Sequence, residues 1–153
     1  MIFLSYDTII QYKERTAFMI LKNELQYKRT KGLATDLEVA LSQVRFHPEF
    51  KALSPLARRA YRASLKRQLR QFHEQLHEYE QLKKGKFYFN KLPDIGQIPL
   101  WLIQARIAKG LGQEDLARLL KLKKQQIQHY EATEYASASL SKIRQVADVL
   151  LHS

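Results

Sequence analysis

Between Pro55 and Gly85 the chain contains neither glycine nor proline, and this stretch limits the fold more than any other. Ser54 places a hydroxyl where it can cap the first free amides of a helix, and Pro55 takes the first helical position, where a missing N–H costs nothing. The run that follows is long enough for about eight helical turns. Along it Tyr61, Leu65, Leu69, Phe72, Leu76 and Tyr79 recur three or four residues apart, which gathers them on one face. That face demands a partner, either another helix of this chain or a second copy of it.

A neighbouring helix is expected upstream. Thr35-Asp36-Leu37-Glu38 reads as a capping box, with Leu37, Ala40, Leu41 and Val44 at helical spacing after it and an end before His47-Pro48. Beside the apolar stripe, Arg58, Arg62, Lys66 and Arg70 recur every fourth residue as a basic flank. It is either a solvated face that keeps the helix soluble or a contact for DNA phosphates or an acidic partner protein.

The same helix carries His73-Glu74-Gln75-Leu76-His77, the HExxH pattern in which two histidines hold zinc and the glutamate acts as general base. A catalytic zinc needs three protein ligands in a dry cleft. His73 and His77 project onto the basic flank, roughly 100° from the centre of the stripe. Cationic neighbours disfavour a dication there, and neither Glu78 nor Glu80 completes the set. The pair is read as surface histidines, with no metal, no cofactor and no catalytic residue expected.

The chain has 153 residues, 45% of them apolar, enough for one average domain or two small ones. Its net charge of +11 favours a polyanionic partner, nucleic acid ahead of an anionic membrane surface. Up to Lys86 there are 17 basic and 9 acidic residues, against 9 and 6 after it. The absence of cysteine excludes disulfides, thiolate zinc sites and thiol catalysis. "MIFLSYDTIIQYKERTAF" has no basic leader and no long apolar core, so neither a signal peptide nor a membrane span is expected; a cytoplasmic location is. Residues 85–97, "GKFYFNKLPDIGQ", read as a linker from their Gly and Pro content, with Phe87-Tyr88-Phe89 as a short extended segment or an aromatic clamp. The extended segment is the preferred reading.

Four short helices are expected after the linker. Pro99 starts the first, which runs through Leu100, Leu102, Ile103, Ile107 and Ala108 to a stop at Gly110, with Leu111 plugging the corner. Gln113-Glu114-Asp115 opens the second at the positive end of its dipole, with Leu116, Ala117 and Leu120 buried. "KQQIQHYEAT" follows the turn at Lys121 to Lys123, and its one buried-looking aliphatic residue is Ile127. The last helix follows Ser137 as N-cap and buries Leu140, Ile143, Val146, Ala147 and Leu150.

"ARIAKGLGQEDLARLLKLKKQQIQHYE" followed by "SLSKIRQVADVL" resembles the phage-repressor, Cro and Xre helix-turn-helix family over roughly residues 98 to 151. The resemblance implies a lambda-repressor-like domain in which Lys124, Gln125 and His129 face the major groove, flanked by Gln126 and Gln128. Gln113 would hold a backbone phosphate and brace the recognition helix. Lys123, Thr133 and Tyr135 are further phosphate candidates, and Arg106 with Glu131 would form the family's internal ion pair. Two departures stand out: Lys121 replaces the family's left-handed glycine, and no glycine follows Glu131. "MILKNELQYKRTKGLATDLEVAL", "YEQLKKG" and "QQIQHYEATEYASASL" also resemble Xre proteins with a helical amino-terminal region and the architecture of HigA-type antitoxins.

The expected protein is all-α. Residues 1–18 form an extension, 19–84 a helical hairpin for dimerisation or partner binding, 85–97 the linker and 98–153 the DNA-binding domain. Its expected partners are a double-stranded DNA operator, a second copy and a cognate toxin protein, with no membrane. The competing readings are an interaction adaptor with a vestigial helix-turn-helix, and the HExxH peptidase.

Overall fold

The computed structural model describes residues 20–90 and 93–152, and among them every regular element is helical. The expected extension at residues 1–18 lies outside the described residues. The long helix forms as the sequence requires: α3 spans Pro55–Lys83, and the Ser54 side chain accepts from the Ala57 N–H. At 29 residues it is about 43 Å long. Of its apolar stripe, Leu65, Phe72, Leu76 and Tyr79 are buried and Tyr61 and Leu69 half-buried, with Leu82 extending the buried row.

The stripe packs against a helix of the same chain, α1 (Glu24–Gln43). This helix begins twelve residues before the expected start, so the Thr35 capping box is a misreading. The true N-cap is Asn23, whose Oδ1 accepts from the Gln26 N–H at 2.9 Å, while the Thr35 hydroxyl sits mid-helix and donates to the Lys31 carbonyl. Thr30 and Ala34 are buried, as is Leu37. Burial of this face outweighs the roughly 1 kcal/mol that Gly32 costs inside a helix. A 3₁₀ turn (Val44–Phe46) and the short α2 (Pro48–Ala52) close the tip of the hairpin, where buried Phe50 packs on Tyr61.

Two tyrosines lock the hairpin near its other end. Tyr27 stacks on Tyr79 at 5.2 Å and donates to Glu80 at 2.6 Å, and the Tyr79 hydroxyl reaches Glu24 at 3.4 Å. Burial, followed by the Glu24 carboxylate, pushes Tyr79 up to about 12. An unfolded tyrosine releases its proton near pH 10, so between pH 10 and 12 the unfolded state binds fewer protons and stability falls as pH rises. Thermal midpoints measured across that window should decline in the wild type and decline less in Tyr79→Phe. Equal slopes would refute the assignment.

Residues 87–89 form no strand, against the preferred reading of an extended segment. Phe87 and Phe89 meet edge to face at 4.9 Å and both pack on Trp101, making the aromatic clamp. After a 3₁₀ turn (Ile95–Gln97) come α4 (Ile98–Ala108), α5 (Gln113–Leu119), α6 (Lys124–Ala132) and α7 (Leu140–His152). In α7 the capping hydroxyl belongs to Ser139, which accepts from the Lys142 N–H, whereas Ser137 bonds Thr133. Leu140, expected in the core, is 82% exposed because it opens the helix on its outer side; Val146 and Leu150 are fully buried.

One hydrophobic core runs from Ile20 and Leu21 through α1 and α3 into α4 to α7. The hairpin therefore meets the last four helices along α3, which packs on α4 and bonds it through Gln104 and Glu78, and also ahead of α1 through Ile20 to Lys22 and after α3 through the aromatic clamp.

Candidate nucleic-acid interface

The outer helix α6 owes its position to how the helices around it end. A hydrogen bond from an N–H to the carbonyl five residues earlier closes α4 (Leu111 to Arg106), α5 (Leu122 to Ala117) and α6 (Tyr135 to Tyr130). Such endings need a left-handed residue. Gly110 supplies it after α4 with φ 71°, but Lys121 does so after α5 with φ 53°, and Glu134 and Tyr135 after α6 with φ 48° and 58°. Each non-glycine there costs roughly 1–2 kcal/mol of local strain. Leu122, half-buried, follows the α5 turn, and Ala117 is small enough for α5 and α6 to approach closely.

Inward from α6 point Ile127 and Glu131, both 0% exposed. Taking about 100° per residue, Gln125 and His129 stand on the opposite side, one turn apart, with Gln126 and Gln128 flanking them. All four are exposed. Lys124 is exposed too, and its Nζ pairs with Glu114 of α5 at 3.2 Å. Gln126 also serves the backbone, accepting from the Lys123 N–H at 3.0 Å. Lys123 is exposed immediately before α6.

Behind this face lies a buried polar knot. Arg106, 2% exposed, donates through Nε to Glu131 Oε1 at 2.5 Å and through Nη2 to Oε2 at 2.8 Å. Its Nη1 donates to the Leu111 carbonyl at 2.8 Å and Nη2 also to the Lys22 carbonyl at 2.7 Å. Gln113 donates from Nε2 to Glu131 Oε2 at 2.7 Å and is itself buried. Its side chain thus braces α6 from within. A bidentate pair with four of the five guanidinium N–H groups engaged is the arrangement in which a buried charge is tolerable.

Of the other phosphate candidates, Tyr135 is placed differently from expectation. Tyr135 is 2% exposed and stacks on Tyr130, so it lies in the core and not at a phosphate. Burial, then the nearby Glu131 carboxylate, raises its hydroxyl above the usual phenol range. The sequence gives no warning of this, because nothing in "EATEYAS" announces a left-handed tyrosine turned inward. Thr133 is half-buried, its hydroxyl shared between the His129 and Tyr130 carbonyls and Ser137.

The HExxH histidines are exposed on α3, and His73 lies 3.1 Å from Glu38 of α1. Among the described residues no group of three or more His, Asp or Glu is placed to hold a metal ion. Arg62, Lys66 and Arg70 are exposed on the same helix, and half-buried Arg58 donates to the Leu53 carbonyl.

A bundle that braces one polar helix on its outside is the architecture of groove-reading proteins. The model of one protein family, described as helix-turn-helix, matches residues 102–150. This region is a helix-turn-helix domain. Its motif helices are α5 and α6, and the family is a non-catalytic DNA-binding module. No curated protein and no solved structure matches the chain. The residue that sequence reasoning missed altogether is Lys22, which lies outside the helix-turn-helix domain yet touches its buried pair.

Proposed function

We propose that the chain is a sequence-specific, double-stranded-DNA-binding transcriptional repressor that acts as a dimer, with α6 as its reading helix. The observation that carries this is the outward pair Gln125 and His129, with Gln126 and Gln128 beside it and exposed Lys124 at the helix start, on a helix anchored by Ile127 and Glu131 within a helix-turn-helix domain. Glutamine offers a donor and an acceptor together, matching adenine's major-groove edge, and lysine matches guanine's acceptors. One such helix reads only a few base pairs, and two copies on half-sites about 34–36 Å apart multiply the discrimination.

The hairpin supports a second, protein partner. Between Val44 and His73 the chain carries eight lysines and arginines against one acidic residue, Glu49. Six of these lie on α3 up to Arg70, and Arg45 and Lys51 lie in the hairpin tip, away from the helix-turn-helix domain, whose end of α3 is marked by the Glu78–Gln104 hydrogen bond. Together with the resemblance to HigA-type architecture, this favours an autoregulating antitoxin whose hairpin holds a cognate toxin. Among the described residues no helix is long and apolar enough to cross a membrane.

The experiment is binding to duplex DNA from immediately upstream of the protein's own coding sequence, against a scrambled duplex of equal length. Preference for the upstream duplex is expected; equal affinity for both would overturn the reading. Lys123→Ala should weaken both duplexes alike and lower the slope of log affinity against log salt by about 1, the signature of one lost phosphate contact. An unchanged slope would remove Lys123 from the interface.

A further inference from the structure

We propose that Lys22 is a positioning residue for base reading, fixing the C-terminal end of α6 from outside the helix-turn-helix domain; this deepens the reading of α6 given above and rests on it. Lys22 is 6% exposed, and each of its polar groups is engaged. Its Nζ donates to the Glu131 carbonyl at 2.6 Å, its own carbonyl accepts from Arg106 Nη2 at 2.7 Å, and its N–H donates to Gln26 Oε1 at 2.7 Å. Ile20 and Leu21 beside it are buried to the same degree, so the segment is packed as well as hydrogen-bonded.

The chemistry of the contact suits a clamp. Glu131 is the penultimate residue of α6, so its carbonyl belongs to the last turn at the negative dipole end, where it accepts a long bond of 3.3 Å from the Glu134 N–H and keeps room for a second donor. An ammonium there makes a charge-assisted bond at a site shielded from water. A lysine is costly to bury unless its donors are used, so its presence at this depth is best explained by that bond.

The clamp acts on the reading face through a short lever. His129 lies two residues before Glu131 on the same nine-residue helix. Base-edge hydrogen bonds are lost over a few tenths of an ångström, so the end of α6 has to be held within that range for His129 to report on a base. Ile127 and the Arg106–Gln113 knot fix the inner side of α6; Lys22 fixes its end. Lys22 also adjoins Asn23, the N-cap of α1, so a displacement of α1 is transmitted directly to the clamp.

The test compares Lys22→Met, which keeps the apolar stem and removes the ammonium, with the wild-type full chain. Affinity for the upstream duplex is expected to fall about 10-fold or more, the size of a lost charge-assisted bond, with the scrambled duplex unchanged within about twofold. Amide hydrogen exchange, measured without DNA, should quicken in α6 more than in α5 and α7. Gln26→Ala, which loosens the Lys22 backbone and leaves its side chain, should move the same quantities in the same direction by less, and serves if Lys22→Met does not fold. A lowered thermal midpoint with the specificity ratio and the α6 exchange pattern unchanged would reduce Lys22 to packing and overturn the proposal. If the wild type prefers neither duplex, the DNA reading falls, and a uniform exchange response would separately end the clamp.

Discussion

Arg106→Met should lower stability by roughly 3–5 kcal/mol, because it leaves the Glu131 carboxylate buried at 0% exposure with its guanidinium removed. For a chain of this size that corresponds to a drop of roughly 6–20 °C in thermal midpoint. Gln113 still donates to Glu131 in the variant, but a neutral amide cannot compensate a buried charge, and the Leu111 and Lys22 carbonyls each lose a donor. Arg106→Lys should recover little, since a point ammonium cannot reproduce two parallel bonds to one carboxylate together with the bonds to two carbonyls. Thermal unfolding followed by circular dichroism measures both variants; a shift below about 3 °C for Arg106→Met would mean the pair contributes little.

Joint replacement of Gln125 and His129 by alanine should act in the opposite way, leaving the fold intact and abolishing discrimination. Both side chains are exposed, so their loss creates no cavity and leaves no buried partner unpaired. Each well-placed pair with a base edge is worth about 1–3 kcal/mol of discrimination, so the two together correspond to roughly 30-fold to more than 10⁴-fold in preference for the upstream duplex. Binding to a scrambled duplex should hardly change, because phosphate contacts carry no base information. Titration of both duplexes at one salt concentration separates the terms, and undiminished preference in the double variant would relocate base reading to another surface.

Where the sequence punctuates the chain, the fold was legible. Ser54-Pro55 and Gly85 bracket α3, and Gly110 ends α4 with a positive φ. The start of α1 was misplaced because Thr35-x-x-Glu38 mimics a capping box; Asn23-x-x-Gln26 was the true signal, and burial of Thr30 and Ala34 against α3 carried the helix through Gly32. The helix-turn-helix and the outward polar side of α6 were legible because burial alternates with polarity at helical spacing around Ile127. The left-handed Glu134 and Tyr135 were not, since they lack the glycine that advertises such a conformation. Nor was Lys22, whose contact with Glu131 spans 109 positions of sequence and is dictated by packing alone.

Besides the packing of α3 on α4, the hairpin is pinned to the helix-turn-helix domain at two separated places, by Lys22 near one end of α4 and by the aromatic clamp on Trp101 near the other. A single tether lets two bodies swivel about it; two anchor points on one rigid helix remove that freedom. Whatever grips the hairpin therefore also aims α6. In a dimer joined through its hairpins, the gap between reading helices is then a ruler of set length, and the spacing of half-sites in the DNA is written into the protein's own packing.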